Sequence, residues 1–106
     1  MKKAFLDALE TVEAAFGDHA FRRYVPESKT WRRPILAALF DAQMFAALSW
    51  DRDRLTGHSD RIKQEYEDSF SDAEFRRTID AATNTPALFK KRIEITQGIF
   101  ARSLSS

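Results

Sequence analysis

Residues 34–49, PILAALFDAQMFAALS, decide the fold, because they are apolar on almost every face of a helix. Seven large apolar side chains and five alanines lie between Pro34 and Ser49, and only Asp41 and Gln43 interrupt them. Pro34 suits the first turn of a helix, where its missing N–H costs no hydrogen bond. A helix that is apolar on most faces belongs in the interior of a domain. We therefore predict a core helix over residues 35–48 and expect it to be the most buried element.

The chain before this stretch contains one further helix pattern. Its apolar residues recur at spacings of four, three and four, the period of one helix face: Phe5, Leu9, Val12 and Phe16. Gly17 follows directly, and glycine commonly ends a helix. We predict a helix over residues 2–16. Residues 18–33 contain Pro26 and a polar run, so we predict a loop there.

Two helix patterns follow the apolar stretch directly. Residues 51–70 are highly charged, yet their apolar residues keep helical register. Gly57 weakens this helix by about 1 kcal/mol relative to alanine, which predicts a kink or a late start. Ser71 and Glu74 have the spacing of a capping box and predict that a short helix begins there.

The last helix pattern begins after a polar break at residues 83–85. Thr85 can cap a helix, and Pro86 suits its first turn. Apolar residues then line one face to about residue 103. No segment alternates with period two for long enough to form a strand. The predicted fold is therefore all-α, a compact bundle of four to five helices around a central apolar helix, without a sheet.

The composition fits a single helical domain over residues 1–106. Hydrophobic residues make up 43% of the chain and charged residues 31%, which is too apolar for disorder and too charged for a membrane span. The 17 basic and 16 acidic residues nearly balance, which argues against a cationic nucleic-acid coat. The lack of cysteine excludes a disulfide framework, a cysteine-ligated zinc site and a thiol nucleophile. No apolar stretch approaches ~18 residues, so we expect a cytoplasmic protein without a membrane partner.

No set of residues has the spacing of a catalytic or metal-binding motif. His19 and His58 are the only histidines, and they fall on different predicted elements. The sequence contains no Glu-x-x-His pair for a ferritin-like metal site, no His-Glu-x-x-His, no phosphate-binding glycine-rich loop and no serine elbow. We therefore predict that the protein is not an enzyme and has no catalytic residue, metal site or cofactor.

Residues 21–34 form the most basic segment, with five cations against one acid, Glu27, and a local charge of +4. Three aromatic residues are interleaved with the cations: Phe21, Tyr24 and Trp31. Because arginines contact phosphates and aromatic rings stack on bases, this segment is a candidate nucleic-acid or partner contact. The candidate residues are Arg22, Arg23, Lys29, Trp31, Arg32 and Arg33. The alternative, which we favour, is that the aromatic residues pack the loop onto the core and the arginines pair with acids of neighbouring helices.

Four stretches resemble, in order, the C-terminal helical part of a bacterial family of unknown function. They are AFRRY (residues 20–24), RRPILAALFD (32–41), DAEFRRTI (72–79), and TNTP (83–86) with the following residues through Ile93. They are similar to the family's basic-aromatic entry, its central helix, its short penultimate helix and its closing turn and helix. With the residues between them, they cover about residues 4–100.

The resemblance implies a partner rather than an activity. The family's N-terminal part is a ParB-like nuclease-fold domain, found in Gmr-type modification-dependent restriction proteins and related phage-defence proteins. The family's catalytic chemistry belongs to that domain, whose signature resembles Asp-Gly-Gln-Gln-Arg, a sequence that is not present here. The asparagine expected near Ile35 is also missing, so no residue role is carried over to that helix.

Two functional hypotheses follow from these observations. The resemblance implies a non-catalytic scaffold or interaction module, an excised domain or a stand-alone relative, that supports or docks to a ParB-like domain. An apolar central helix with a free face would suit such docking. The alternative is a small nucleic-acid-binding protein that uses residues 21–34.

Overall fold

Six α-helices are present in residues 2–80 and 85–105, the parts of the chain that the computed structural model describes. They are α1 (Lys2–Phe16), α2 (Ala37–Ala47), α3 (Arg52–Gly57), α4 (Ser59–Ser69), α5 (Ala73–Asp80) and α6 (Pro86–Leu104). The Cα radius of gyration is 13.0 Å, as expected for a folded chain of about 100 residues. The all-α fold class is confirmed. One helix more than expected is present because residues 51–70 divide into two helices.

Helix α1 has the predicted bounds. Val12, Ala15 and Phe16 are fully buried, as the apolar spacing predicts, whereas Phe5 at the start of the same face is 49% exposed. The helix ends because Gly17 has a φ of +61°, a conformation that glycine adopts without the strain a Cβ would cause. The face of α1 that packs on the core therefore lies mainly in its C-terminal half.

A small antiparallel ladder lies between α1 and α2, after a 3₁₀ helix (Gly17–His19). Its strands are β1 (Tyr24–Val25) and β2 (Thr30–Trp31). Tyr24 pairs with Trp31 and Val25 pairs with Thr30. The expectation of a loop without any sheet is therefore wrong for these four residues. The chain reverses over residues 26–29, and Lys29, the last of them, has a φ of 55°.

Helix α2 begins at Ala37, so the prediction that Pro34 lies in its first turn is wrong. Leu36 is the N-cap and has an extended backbone, with φ −96° and ψ 129°. Its N–H donates to the Phe21 carbonyl oxygen at 3.0 Å, and its own carbonyl accepts from the Phe40 N–H at 2.9 Å. Because the bond to Phe21 holds the chain extended up to Leu36, the helix cannot begin at the proline.

Helix α2 buries only one face. The buried residues are Leu39, Ala42, Gln43, Ala46 and Ala47, and the helix packs against α1 and α6. Ile35, Phe45 and Leu48 are instead 59%, 53% and 64% exposed. Five of the eleven α2 residues are buried, the largest share in any described helix, so the prediction that it is the most buried element is confirmed, although its burial is confined to one face. The helix is apolar on more faces than the described elements cover.

The charged segment divides at His58, directly after the glycine that predicted a kink. His58 has φ −121° and ψ 20°, so the backbone is not helical there, and it serves as the C-cap of α3 and the N-cap of α4. The apolar residues of the segment are fully buried, as their register predicts: Leu55, Ile62, Tyr66 and Phe70.

The cap of α5 differs from the prediction by one residue. Asp72, rather than Ser71, holds the first turn, since its Oδ1 accepts the N–H of Glu74 at 2.9 Å. A carboxylate at this position also interacts favourably with the positive end of the helix dipole. The helix therefore begins at Ala73.

Helix α6 begins as predicted. Pro86 is its first residue, and Thr85 Oγ1 accepts the N–H of Leu88 at 3.3 Å. The remainder of the predicted break, residues 83–84, lies outside the described residues. The helix then carries Arg92 and Phe100, both almost fully buried, along its core face.

An aromatic cluster joins four helices in the core. Phe16 of α1 lies 4.6 Å from Tyr66 of α4 and 5.5 Å from Phe100 of α6, between ring centroids. Phe70, which follows α4, lies 5.1 Å from Tyr66 and 5.2 Å from Phe75 of α5. Tilted and edge-to-face aromatic pairs contribute about 0.5–1.5 kcal/mol each beyond the area they bury. This cluster forms one wall against which the basic segment packs.

Candidate functional site

Trp31 of the basic segment packs into the fold. Its ring stacks on His19, with centroids 4.1 Å apart and an interplanar angle of 9°. It also lies 5.4 Å from Tyr66 and 6.0 Å from Phe70. Burial beside these groups lowers the pKa of His19, and the charge of Lys63 lowers it further. The Trp31 ring is already in contact with His19, Tyr66 and Phe70. A nucleic-acid base could therefore stack on the ring only by displacing these residues.

A buried hydrogen-bond network fixes the start of the same segment. Phe21 is 4% exposed and has a φ of 65°, and its N–H donates to Gln43 Oε1 at 2.9 Å. Gln43 Nε2 donates to the Tyr66 hydroxyl at 2.8 Å, and that hydroxyl donates to the Arg22 carbonyl oxygen at 2.7 Å. Burial raises the pKa of Tyr66, so the hydroxyl remains a donor. The network joins the segment to α2 and α4.

Two ion pairs also attach the segment to α5. Arg23 forms a two-pronged ion pair with Asp80, whose second bond joins Nη2 and Oδ2 at 3.1 Å. The hydrogen bond from Arg23 lowers the pKa of the Asp80 carboxyl. Arg76 of α5 lies 3.8 Å from Glu27. The Arg23–Asp80 pair is the pairing with a neighbouring acid that the structural interpretation expects, whereas in the second pair the segment supplies the acid and α5 the arginine.

The remaining cations of the candidate set have a different environment. Lys29, Arg32 and Arg33 are exposed, and Arg22 is half-buried. None of the four forms an ion pair within 4.0 Å in residues 2–80 and 85–105. The structure therefore separates the six candidate residues: Trp31 and Arg23 hold the segment in place, Arg22 is half-buried without an ion pair among the described residues, and Lys29, Arg32 and Arg33 face solvent.

A second candidate surface, which the sequence did not single out by residue, is an apolar groove of about 400 Å³ between α1, α2 and the start of α6. Its lining residues are Ala4, Phe5, Ala8, Phe40, Asp41, Met44, Phe45, Leu48 and Phe89. Only Asp41 among them is charged. The predicted excess of apolar residues on α2 was the signal for this surface, but nothing in the sequence shows that α1 extends it.

Aromatic rings shape the groove. Phe5 of α1 lies 6.3 Å from Phe40 of α2, and Phe45 of α2 lies edge-on to Phe89 of α6 at 6.1 Å. Phe5 is 49% exposed, Phe45 53% and Leu48 64%. Half-exposed aromatic side chains of α1 and α2 therefore line the groove from two sides.

The two histidines are not brought together. His19 stacks on Trp31, whereas His58 lies between α3 and α4 with its Nδ1 3.0 Å from the Arg54 carbonyl oxygen. Among residues 2–80 and 85–105, no group of three His, Asp or Glu residues is arranged to hold a metal ion.

No helix in the described part of the chain combines the length and the apolar character needed to cross a membrane.

Comparison with protein-family models, curated proteins and solved structures gives no match to this chain. The ParB-associated resemblance therefore stays a prediction from the four sequence stretches.

Proposed function

We propose that the protein is a non-catalytic helical interaction module that binds another protein through the apolar groove. The observation that carries this proposal is the exposure of Phe5, Phe45 and Leu48 at 49–64% around one groove of about 400 Å³. Scattered exposed apolar residues are normal on a protein surface, but a contiguous set marks an interaction site far more often.

The chemistry of the groove supports a protein partner. Its lining is apolar and aromatic with a single carboxylate, Asp41. Interface cores are enriched in aromatic residues and methionine and depleted in charge, and the lining contains four phenylalanines and Met44. Leu39 and Ala46 are buried, so the helix that carries Phe45 and Leu48 is held in the core by its other face.

The resemblance adds a proposed partner, a ParB-like nuclease-fold domain of a restriction or phage-defence protein. This part of the proposal rests on the four sequence stretches alone. It assigns no surface of this chain to that domain.

A photo-crosslinking amino acid incorporated at residue 48 of the chain tests the docking surface, in the cells in which the protein naturally occurs. We expect a discrete crosslinked adduct from this position and none from residue 101, an exposed alanine of α6 that does not line the groove. Both positions lie at or near the end of a helix, so the two probes are matched in local structure. Equal crosslinking at both positions, or no adduct at residue 48, contradicts the proposal.

The non-catalytic part of the proposal has a separate test. The purified chain should hydrolyse neither nucleoside triphosphates nor nucleic acids above a buffer blank in magnesium or manganese. Turnover that remains with the protein through purification and disappears when His58 is replaced would contradict it.

Nucleic-acid binding is the second candidate function, and the exposure of Lys29, Arg32 and Arg33 favours it. Exposed cations without ion-pair partners are available to phosphates. The groove supports the first candidate better, because Trp31 is engaged with His19 and Tyr66 and three solvent-facing cations give only a small electrostatic contribution.

A further inference from the structure

We propose that Arg23, Arg32 and Arg76 form a binding site for a phosphate monoester, and that the carboxylate of Asp80 occupies this site in the free protein. None of these four residues lines the apolar groove, so the inference goes beyond the proposed function. Three observations support it: the register of the ladder, the spacing of two residues on α5, and the ion pair that joins α5 to the basic segment.

The register of the ladder places Arg23 beside Arg32. Tyr24 pairs with Trp31, and the Arg32 N–H donates to the Arg23 carbonyl oxygen at 2.8 Å, which continues the register by one pair. Opposite residues of an antiparallel ladder have their Cβ atoms about 4.5–5.5 Å apart. Side chains alternate between the two faces of a ladder, and Trp31 packs on the core through Tyr66. Arg23 and Arg32 therefore lie together on the other face.

Helix α5 brings a third arginine to the same place. Arg76 and Asp80 are four residues apart in α5, so they lie on one face of the helix. Asp80 forms the two-pronged ion pair with Arg23. Arg76 lies 3.8 Å from Glu27 of the basic segment. The hydrogen bond from Arg23 lowers the pKa of the Asp80 carboxyl, and the charges of all three arginines lower it further. The guanidinium groups of Arg23, Arg32 and Arg76 therefore surround one carboxylate.

The Asp80 carboxylate marks the position that an oxyanion takes in this cluster. An arginine holds a carboxylate and a phosphate in the same two-pronged geometry. Asp80 is the last residue of α5, where the negative end of the helix dipole disfavours a carboxylate. The helix therefore does not hold the Asp80 charge in place, and the arginines do. An anion that binds the arginines more strongly can replace it at little cost to the helix.

A phosphate monoester satisfies the three arginines better than a carboxylate does. It has a charge of about −1.5 to −2 and three acceptor oxygens, whereas a carboxylate has one charge and two oxygens. Arg32 forms no ion pair within 4.0 Å in the described residues. The 3.8 Å between Arg76 and Glu27 is longer than a hydrogen bond. Both arginines can therefore donate to a third oxygen. The Asp80 side chain is 54% exposed, so a ligand reaches the site from solvent.

The arrangement fits one compact dianion rather than a nucleic-acid backbone. The charges of a duplex are spaced along its axis, one for each phosphate, and a protein that follows them needs cations spread along a surface. The three arginines converge on one carboxylate instead.

Titration of the ¹⁵N-labelled full chain with sodium phosphate, followed by two-dimensional NMR, tests the inference. The titration is made at constant ionic strength and about pH 7.5, where phosphate is mainly a dianion. The backbone amides of Arg23, Arg32 and Arg76 should shift and reach saturation. A second titration with glycerol phosphate separates the two sources of the group. Equal affinities show that free phosphate suffices, and tighter binding of glycerol phosphate shows that the ester is preferred; both results support the site.

Three variants test the role of each group. Asp80→Asn should tighten phosphate binding at least about fivefold, the effect of removing a unit charge about 4 Å away in water. Arg32→Gln should weaken binding by at least the same factor. Arg33→Gln is the matched control, because Arg33 is the next residue, is also exposed and is not among the charges that act on Asp80. It should leave the affinity unchanged.

Thermal melting shows whether each variant folds. Asp80→Asn removes an ion pair that holds the basic segment, so Arg76→Gln, which leaves that pair in place, provides a further variant that should weaken binding about fivefold. If Asp80→Asn does not fold, the titrations of Arg32→Gln and Arg76→Gln decide.

Four outcomes overturn the inference. The first is that phosphate causes no saturating shift at these amides in the native chain. The second is that Arg33→Gln weakens binding as much as Arg32→Gln, which would show only diffuse attraction. The third is a folded Asp80→Asn variant that binds phosphate no more tightly, because the ion pair would then only fix the segment. The fourth is duplex DNA that shifts these amides when phosphate and glycerol phosphate do not, which would assign the cations to nucleic-acid binding.

Discussion

The replacement Gln43→Leu measures how much the buried hydrogen-bond network contributes to stability. Gln43 is 1% exposed and accepts the Phe21 N–H at 2.9 Å. Leucine has a similar size but accepts no hydrogen bond, so the Phe21 N–H would remain buried without a partner. Such a group lowers the free energy of unfolding by about 1–3 kcal/mol. With a typical urea dependence of about 2 kcal/mol per molar, a loss of about 2 kcal/mol lowers the urea midpoint by about 1 M.

A double-mutant cycle with Tyr66→Phe makes the measurement specific to the network. Tyr66→Phe alone leaves the Gln43 amide and the Arg22 carbonyl without their shared partner, which again costs about 1–3 kcal/mol. The double variant lacks both ends of the Gln43–Tyr66 bond. Its loss should therefore be smaller than the sum of the single losses by about 1 kcal/mol, the usual coupling for residues in one network. Losses that add without coupling, or single losses below about 0.5 kcal/mol, would refute this reasoning, since distant surface sites behave in that way.

Three further predictions concern the core, the pH dependence of stability and the exposed arginines of the basic segment. Leu39→Ala should lower the free energy of unfolding by about 2–5 kcal/mol, because the side chain is 1% exposed and its loss leaves a cavity; an unchanged urea midpoint would remove Leu39 from the core. The fold lowers the pKa of His19 below its ordinary 6.5. As the pH falls, His19 therefore takes up its proton in the unfolded chain before it does so in the folded chain. The contribution of His19 to the free energy of unfolding should be complete above pH 6.5 and should be lost as the pH falls through the lower folded pKa. His19→Gln should abolish that decline and His58→Gln should retain it, as urea midpoints between pH 5 and 8 would show. Arg32→Ala with Arg33→Ala should change stability by less than about 0.5 kcal/mol, since both side chains are exposed. Duplex DNA should bind the native chain with a dissociation constant no smaller than about 10⁻⁴ M at physiological salt. Tighter binding would favour the nucleic-acid function if the slope of log affinity against log salt concentration became shallower by about 1.8 in the double variant.

The sequence predicted those features that local patterns control. The bounds of α1, the break beside Gly57 and the Thr85 cap all follow from spacing and capping chemistry within a few residues. The start of α2 could not be predicted in this way. Pro34 satisfies every local rule for a first turn, but the hydrogen bond from Leu36 to Phe21 is made across the loop and keeps the chain extended.

The candidate surfaces were predictable to different degrees. The sequence offered two interpretations of the basic segment, and the contacts of Trp31 and Arg23 are those of the structural one. The groove depends on how many sides of α2 the fold covers. Composition shows that α2 is apolar, but the exposure of Phe45 and Leu48 is a property of tertiary packing that no pattern within the helix reveals.

The hydrogen-bond network at Gln43 also determines how the ladder of β1 and β2 opens. A two-stranded ladder on its own is only marginally stable, and its amide protons would exchange with solvent through local fraying. Here the Phe21 N–H is bonded to Gln43 in the core, and the Arg32 N–H donates to the Arg23 carbonyl at 2.8 Å beside the Arg23–Asp80 ion pair. The segment that carries the ladder is therefore tied to α2 and α4, and the buried Phe21 amide should exchange only as fast as the whole domain unfolds.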